Sequence, residues 1–217
     1  MKKRVRIKRH LLAAQALLLC ACASAQDAAP VDRARQEAVL QQIAAAAAGM
    51  SSLACDFEQA KATSMLSDML VSTGKMYYRR ESCLRWEYDP PVEYTFLLNN
   101  SQALMLAGGK RINDPKVSRF FREITGIMMN GISGSGLNDT KNFDVACYEG
   151  AGLWDIVLVP RRKDLKKMFA SIKLSFNSKS YTADQIVLYE SNGDVTAIRL
   201  MNKLLNTKID DEKFKVE

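Results

Sequence analysis

Histidine is almost missing from this 217-residue chain: its one copy, His10, lies in an N-terminal leader. From residue 26 onward there is none, which excludes a histidine-based catalytic triad, a histidine general base and a histidine-ligated metal. Enzymes that rely on paired carboxylates or on a lysine base stay open. We nevertheless expect no enzyme, no metal and no cofactor.

Cysteine is scarce and irregularly placed. Cys20 and Cys22 fall in the leader, so the rest of the chain holds three, Cys55, Cys83 and Cys147. No C-x-x-C spacing indicates a redox or zinc site, and the odd count leaves at least one thiol free. We expect three isolated cysteines in small buried positions. One structural disulfide is the alternative.

Acidic residues are absent from residues 1–25, which carry six basic ones. Without this leader Lys+Arg falls from 31 to 25 against 24 Asp+Glu, so the net charge falls from +7 to about +1. The basic character therefore belongs to the leader and does not indicate nucleic-acid binding. We expect no nucleic-acid partner.

The leader has the order of a secretory signal. Its basic start is followed by an apolar run at 11–19 and by Ala23-Ser24-Ala25, an A-x-A cleavage pattern. We predict a signal peptide over 1–25, cleavage near Ala25, and a soluble exported domain over 26–217. The alternative is lipid attachment at Cys22 or Cys20 after an imperfect lipobox.

The periodicity beyond the leader predicts an α+β fold. A helix is expected over 32–48, with Asp32 as its N-cap, and short strands with period-two alternation follow from residue 52 onward. Short polar connections favour an antiparallel meander, and a last strand is expected over 214–216. Ten or eleven strands in one domain predict a single, strongly curved antiparallel sheet. We expect this incomplete β-barrel to be covered by helices.

A second helix is predicted after Asp114 and Pro115, which form an N-cap and first-turn pair. Its apolar stripe comprises Val117, Phe120, Phe121, Ile124, Ile127 and Met128, and glycines bracket it on both sides. Two interpretations stay open: a mobile cover over an apolar site, or an ordinary core helix.

Charged residues offer little catalytic equipment. Asp56 and Glu58 alternate with Phe57, so we assign them to the solvent face of a strand. The segment 161–167, RRKDLKK, holds five cations. It fits docking on anionic lipid or an acidic partner, and it equally fits a solvated loop between two strands.

Four stretches in order resemble the periplasmic outer-membrane lipoprotein carrier family (LolA). They are SLACDFEQ at 52–59 after a helix, GKMYYRR at 74–80, LRWEY at 84–88 with Pro90 following, and IDDEKFKV at 209–216. The family shows a Phe-x-Gln first strand, a glycine-led strand ending in a basic residue, an apolar-x-Trp strand and a closing Asp-x-x-Phe. The resemblance spans essentially the whole chain after the leader.

The resemblance implies a hydrophobic cavity, lidded by helices, that carries lipoprotein acyl chains across the periplasm. It implies Arg80 as the arginine that holds the lid closed, although Glu81 replaces the usual proline. The cavity candidates are Phe57, Leu84, Trp86, Phe120, Phe121, Ile124 and Met128. Implied partners are acylated lipoproteins, an ATP-driven releasing complex in the inner membrane and an outer-membrane acceptor, with the carrier itself a monomer. A membrane-anchored acceptor, or a carrier or sensor of other lipids, is the alternative.

Overall fold

The computed structural model describes residues 28–64, 69–80, 83–99, 102–112, 126, 137 and 139–215 of the chain. Within these residues lie two α-helices, α1 at Arg33–Ala48 and α2 at Lys163–Lys166, and a 3₁₀ helix at Asp211–Phe214. The twelve strands, in chain order, are β1 Ala29–Pro30, β2 Ser52–Ala62, β3 Met69–Arg79, β4 Cys83–Tyr88, β5 Tyr94–Asn99, β6 Gln102–Ala107, β7 Lys110–Arg111, β8 Phe143–Gly150, β9 Leu153–Pro160, β10 Phe169–Asn177, β11 Ala183–Glu190 and β12 Val195–Leu205.

The strands form one open antiparallel sheet, as predicted. Its order is β1-β8-β9-β10-β11-β12-β2-β3-β4-β5-β6-β7. The described part of the sheet has twelve strands rather than the predicted ten or eleven. The added strands, β1 and β7, have two residues each, too few for an alternating pattern to reveal.

The closing strand predicted over 214–216 is wrong at residues 214 and 215, and residue 216 lies outside the described residues. Residues Asp211–Phe214 form a 3₁₀ helix because Asp210 caps it, accepting a hydrogen bond from the Glu212 backbone N–H at 3.0 Å. Phe214 is buried against Cys83, Leu97 and Leu104. The aromatic residue expected on a strand therefore anchors a short helical turn instead.

Helix α1 begins and ends as its sequence predicts. The Asp32 carboxylate accepts a hydrogen bond from the Arg35 backbone N–H at 2.8 Å, the geometry of an N-cap. The Gly49 N–H donates to the Ala45 carbonyl at 3.1 Å just beyond the last helical residue. Val39, Leu40 and Ile43 are its buried residues, on one stripe of the helix.

The chain divides into two compact units. The described residues of the first are 28–43, 59–64, 69–71, 137 and 139–199. Strands β8 to β11 pair there as successive antiparallel neighbours. One face is apolar, with Trp154 and Ile156 of β9 beside Leu174 and Phe176 of β10. The other face is also buried and holds a polar cluster. In it Asp155 accepts hydrogen bonds from the Ser175 hydroxyl at 2.5 Å and the Lys173 ammonium at 3.3 Å.

The second unit contains residues 44–58, 72–80, 83–99, 102–112, 126 and 200–215 among those described. Its strands β3 to β7 form a meander in chain order. One face of it, the Phe214 face, consists of Tyr77, Cys83, Leu97 and Leu104 packed against Phe214 of the 3₁₀ helix. The opposite face carries the site described next.

Candidate functional site

One register row of large apolar side chains crosses four strands of the second unit. Met76 of β3 lies opposite Trp86 of β4, Trp86 opposite Phe96 of β5, and Phe96 opposite Met105 of β6. All four are buried. Opposed residues in antiparallel strands project to the same side of a sheet, so these side chains form one apolar surface, here called the Trp86 face.

The next register row adds Tyr78 and Leu84 to the Trp86 face. Leu84 is 1% exposed and Tyr78 is buried beside it. Burial raises the pKa of the Tyr78 hydroxyl, and the nearby Arg80 charge opposes that shift. The phenol therefore stays neutral at ordinary pH, as an apolar face requires.

Phe57 of β2 covers Trp86. The two rings stack with centroids 4.1 Å apart, and Tyr88 meets Phe57 edge-on at 5.1 Å. Gly74 makes room for this ring, because a Cβ built there would lie 2.5 Å from Phe57 Cζ and 2.0 Å from the Glu87 carbonyl oxygen. Glycine in the middle of β3 is thus explained by close packing of an aromatic ring on the backbone.

The indole N–H of Trp86 is an unusual feature of this surface. Trp86 is 4% exposed, and its Nε1 has no hydrogen-bond partner in the described structure. A buried donor without an acceptor costs about 1–3 kcal/mol. The Trp86 face thus pairs extensive apolar surface with one unsatisfied donor.

Arg80 directly follows β3, and its side chain forms hydrogen bonds with the C-terminal end of α1. Its guanidinium donates hydrogen bonds from Nη2 to the carbonyls of Ala47 at 3.3 Å, Met50 at 3.0 Å and Ala48. Its backbone N–H donates to the Ser51 carbonyl at 2.9 Å. A cation at a helix C-terminus satisfies carbonyls that have no partner within the helix and complements the helix dipole.

Asn206 supports the same turn, and sequence reasoning missed it. Its amide oxygen accepts from the Ser51 N–H at 2.7 Å and the Ser51 hydroxyl at 3.0 Å, while its Nδ2 donates to the Gly49 carbonyl at 3.2 Å. Its backbone φ is +56°, a left-handed conformation that asparagine tolerates better than most residues. An asparagine directly after a strand is the available sequence signal.

The predicted site residues therefore fall into two groups. Phe57, Leu84 and Trp86 are all buried: Phe57 stacks on Trp86, and Leu84 lies on the same face of β4 as Trp86. Arg80 follows the same strand that carries Met76 and Tyr78. The other candidates, Phe120, Phe121, Ile124 and Met128, lie outside the described residues, as does Glu81.

A cavity also occurs in this unit, with a volume of about 600 Å³. Seven of the eight residues that line it have charged or hydroxyl side chains; the lining comprises Ser51, Ser52, Arg79, Thr207, Lys208, Ile209, Asp210 and Asp211. Arg79 pairs there with Asp211, and this contact lowers the pKa of the Asp211 carboxyl.

Asp56 belongs to the polar side of β2, as predicted. It accepts hydrogen bonds at 2.8 Å from the Asn202 amide and from the Lys75 ammonium. These bonds lower the pKa of its carboxyl, that from Asn202 contributing most. Within the described residues, no group of three His, Cys, Asp or Glu is arranged to hold a metal.

Cys55, Cys83 and Cys147 are all free and buried in the structure. Burial raises the pKa of the Cys55 thiol to about 12 and that of Cys147 to about 11. The disulfide alternative is therefore not what the structure shows. These thiols fill small core positions.

The sequence model of the family described as "Outer membrane lipoprotein carrier protein LolA" matches residues 48–217. The chain belongs to this family, as its motifs predicted. An outer-membrane lipoprotein carrier protein of Azotobacter vinelandii (strain DJ / ATCC BAA-1303) is 24% identical over 198 residues, 91% of each chain. Its counterpart in Pseudomonas syringae pv. tomato (strain ATCC BAA-871 / DC3000) is 26% identical over 153 residues, 67% of this chain and 68% of the relative.

Solved structures show the same fold at much lower identity. An uncharacterized conserved protein from Thermus thermophilus matches with a TM-score of 0.52 at 10% identity, over 85% of this chain and 94% of that one. The Pseudomonas aeruginosa MucA/MucB complex matches with a TM-score of 0.50 at 10% identity, over 82% of this chain and 60% of that one. Among the described residues, no helix combines the length and the apolar character needed to cross a membrane.

Proposed function

We propose that this protein is a non-enzymatic periplasmic carrier that holds the acyl chains of lipoproteins and takes them from the inner to the outer membrane. The observation that carries the proposal is family membership over residues 48–217. Relatives that match up to 91% of the chain are named outer-membrane lipoprotein carriers. Absence of histidine after the leader agrees with binding rather than catalysis.

Acyl chains require a carrier for a simple energetic reason. Each methylene group exposed to water costs about 0.8 kcal/mol, so a sixteen-carbon chain costs roughly 12 kcal/mol. A lipoprotein therefore does not leave a membrane unaided at a useful rate. A transient apolar site that is filled at one membrane and emptied at the other solves this problem.

We assign the acyl site to the Trp86 face. Its register row contributes two aromatic rings and two methionines, and methionine adapts to ligands of varied shape because it is flexible and polarizable. Phe57 and Trp86 are almost fully buried, so an entering chain has to displace Phe57 or another covering group. Contacts that protect the apolar face in the empty carrier are then exchanged for contacts with the ligand.

The unsatisfied Trp86 N–H supports a ligand that carries a carbonyl group as well as a hydrocarbon chain. Ester and amide carbonyls of an acylated cysteine are acceptors of this kind. Donation to such an acceptor removes the cost of the orphaned donor, about 1–3 kcal/mol, in the bound state only. Hydrocarbon without a carbonyl does not provide this gain.

Arg80 is proposed as the latch. Hydrogen bonds from a charged donor contribute about 1.5–3 kcal/mol, with the lower end appropriate for an exposed side chain. Burying two or three methylene groups of a ligand offsets that amount. Holding the end of α1 through Arg80 is therefore strong enough to favour the empty closed state and weak enough for cargo to reverse it.

Transport in one direction requires partners at both membranes. We propose an ATP-driven releasing complex in the inner membrane as the donor and an outer-membrane protein as the acceptor, with a monomeric carrier between them. The predicted secretory signal, with predicted cleavage near Ala25, agrees with a carrier that works between the two membranes.

The direct test is mass spectrometry of the protein purified from its native host without detergent. We expect intact mass to give a chain starting at Gln26, and extraction to give lipoproteins or acylated peptides. An acyl group on Cys22 or Cys20 instead identifies the anchored acceptor. Purification with no bound lipid, together with no binding of a synthetic diacylated lipopeptide, contradicts the proposal.

The location of the ligand is tested by fluorescence in a Trp154→Phe background, where Trp86 is the remaining tryptophan. Titration with the synthetic lipopeptide is expected to change the intensity and wavelength of Trp86 emission. Binding detected by calorimetry without any change in emission would assign the ligand to another part of the chain.

A further inference from the structure

The connection between β9 and β10 carries a concentrated basic surface that acyl binding does not use. Residues 161–167 contain five basic residues and one acidic residue. The chain without its leader has a net charge of only about +1, so this density is local. The basic connection belongs entirely to the first unit of the chain.

This connection is held in one conformation by contacts beneath it. Leu165 of α2 is 3% exposed and anchors the turn. The Ser191 hydroxyl donates to the Lys166 carbonyl at 2.7 Å, and the Lys166 N–H donates to the Arg162 carbonyl at 3.0 Å. Its charged side chains are therefore presented from an ordered turn.

Its two arginines already have acidic partners. Arg161 donates to Asp144 from Nε at 2.8 Å, and Arg162 donates to Asp164 from Nε at 3.0 Å. Each of these two carboxylates is thus engaged by an arginine. The arginines are thus committed to positioning the turn.

Three lysines remain available. Lys163, Lys166 and Lys167 are all exposed, and within the described part of the chain none of them forms an ion pair. Their spacing of three and four residues over α2 and its C-cap puts them on neighbouring positions of one helical turn. Val159, two residues before Arg161, is an exposed apolar side chain at 42%.

We propose that the lysine patch, Lys163, Lys166 and Lys167, docks the protein on an anionic phospholipid surface. Lysine ammonium groups act as point charges, which suits a diffuse sheet of phosphate groups. Free arginines would instead favour a specific carboxylate partner through bidentate pairing. Both arginines of this turn, however, are already paired with acidic side chains.

Such docking has a clear use if the protein exchanges acyl chains with membranes, but it does not depend on that proposal. Electrostatic attraction raises the time spent at the membrane, and salt screens it within a Debye length of about 8–10 Å. Three lysines near an anionic surface correspond to roughly a hundred-fold change in partition coefficient.

The test is vesicle flotation with the mature full-length protein. We expect it to float with vesicles containing phosphatidylglycerol at low salt, and to stay in solution with phosphatidylcholine alone or at high salt. The neutralising variant K163Q/K166Q/K167Q is expected to lose binding about a hundred-fold, and the charge-reversed variant K163E/K166E/K167E is expected to lose more than that. The matched control K110E/K179E/K208E changes three other exposed lysines by the same total charge and is expected to retain binding.

Two results overturn the proposal: equal loss in the control, which shows a net-charge effect, or no flotation of the wild-type protein at low salt. In the second case, retention on a polyglutamate resin that K163E/K166E/K167E abolishes assigns the patch to an acidic protein partner. K163Q/K166Q/K167Q, checked by circular dichroism, excludes misfolding as the cause of lost binding. Lipopeptide binding in solution is expected to stay at the wild-type level in all variants, which separates this test from the test of acyl carriage.

Discussion

The phenyl ring of Phe57 stacks on the indole of Trp86, with centroids 4.1 Å apart and planes inclined by 27°. This contact joins the first long strand to the centre of the β3–β6 meander. It also explains why residue 74 is a glycine, because a Cβ atom at this position would overlap the ring of Phe57. Packing on the Trp86 face therefore depends on Phe57, Gly74 and Trp86, which belong to three different strands.

Replacing Gly74 by alanine is expected to lower the free energy of unfolding by about 3 kcal/mol or more. The added Cβ would lie 2.0 Å from the Glu87 carbonyl oxygen, and a backbone atom cannot move away cheaply. Gly49→Ala is the control, since its Cβ would be 3.4 Å from the Ala46 carbonyl oxygen. Urea unfolding measures both. Equal, small effects in the two variants would show that β3 adjusts freely around Phe57.

Trp86→Phe is expected to remove a preference for ester-linked over ether-linked diacyl lipids. Within the described residues the Trp86 N–H has no acceptor, and an ester supplies a carbonyl that an ether lacks. We therefore expect about fivefold or greater preference for the ester, equivalent to ~1 kcal/mol. Calorimetry with matched lipids measures it, and Trp154→Phe, which removes the other buried unpaired indole N–H, should leave the preference intact. Equal affinity of the wild-type protein for both lipids would refute the role of this donor. It would not contradict the proposal that the protein binds acyl chains.

The fold was largely predictable from local pattern. Alternation in Leu84, Trp86 and Tyr88 identified the inward side of β4, and Asp32 and Gly49 bounded α1, because these signals act over a few residues. The same alternation placed Phe57 and Trp86 on apolar faces. Phe214 was misassigned because its neighbour Asp210 acts as a helix cap, and that preference outweighs a short strand pattern.

Contacts between distant segments were not predictable in this way. Asn206 binds the turn after α1 across more than 150 residues of sequence, and nothing local marks it as a partner of Ser51. The role of Arg80 at the end of α1 entered through family resemblance rather than periodicity. Its three carbonyl acceptors depend on how a helix end and a strand end meet, which a one-dimensional pattern does not encode.

Cysteine reactivity provides a test of the core. Burial holds the pKa of Cys55 near 12 and that of Cys147 near 11, so both thiols stay protonated and unreactive at pH 8. We expect Ellman's reagent to label none of the three thiols in the folded mature protein and all three in denaturant without reductant. Labelling of only one thiol in denaturant would reveal a disulfide.

The hydrogen bond from Asn202, and after it the one from Lys75, lowers the pKa of the Asp56 carboxyl. The stability that these bonds contribute is therefore present above the pKa that this carboxyl has in the unfolded chain, about 3.9. That contribution is lost as pH falls through the lower folded value. Because both Asp56 and Lys75 are partly exposed, we expect less than about 1 kcal/mol. Urea unfolding measured over the acid pH range should therefore show a slightly smaller decrease in the free energy of unfolding for Asp56→Asn than for the wild-type protein. An identical decrease in the free energy of unfolding with falling pH in wild type and Asp56→Asn would show that these bonds contribute nothing in solution.

Arg80→Leu is expected to loosen the end of α1. Loss of the guanidinium removes three carbonyl contacts but no large buried area, so the free energy of unfolding should fall by only about 1–2 kcal/mol. Hydrogen exchange should become faster at Gly49 and Met50, whose N–H groups donate to helix carbonyls in the turn that Arg80 holds. Transfer of a bound lipopeptide to the acceptor membrane should be impaired, because closure of the empty carrier no longer helps to expel cargo.

The neighbouring arginine provides the matched control for this experiment. Arg79 pairs with Asp211 and lies over the Phe214 ring at 4.6 Å, so Arg79→Leu removes a cation from the same strand end and leaves the α1 carbonyls bound. We expect it to leave exchange at Gly49 and transfer at wild-type levels, and Arg80→Lys to restore both in part. Faster hydrogen exchange in Arg80→Leu with unchanged lipopeptide transfer would show that Arg80 only caps the helix and does not act in transfer. Unchanged exchange in Arg80→Leu would mean that Asn206 alone holds the turn.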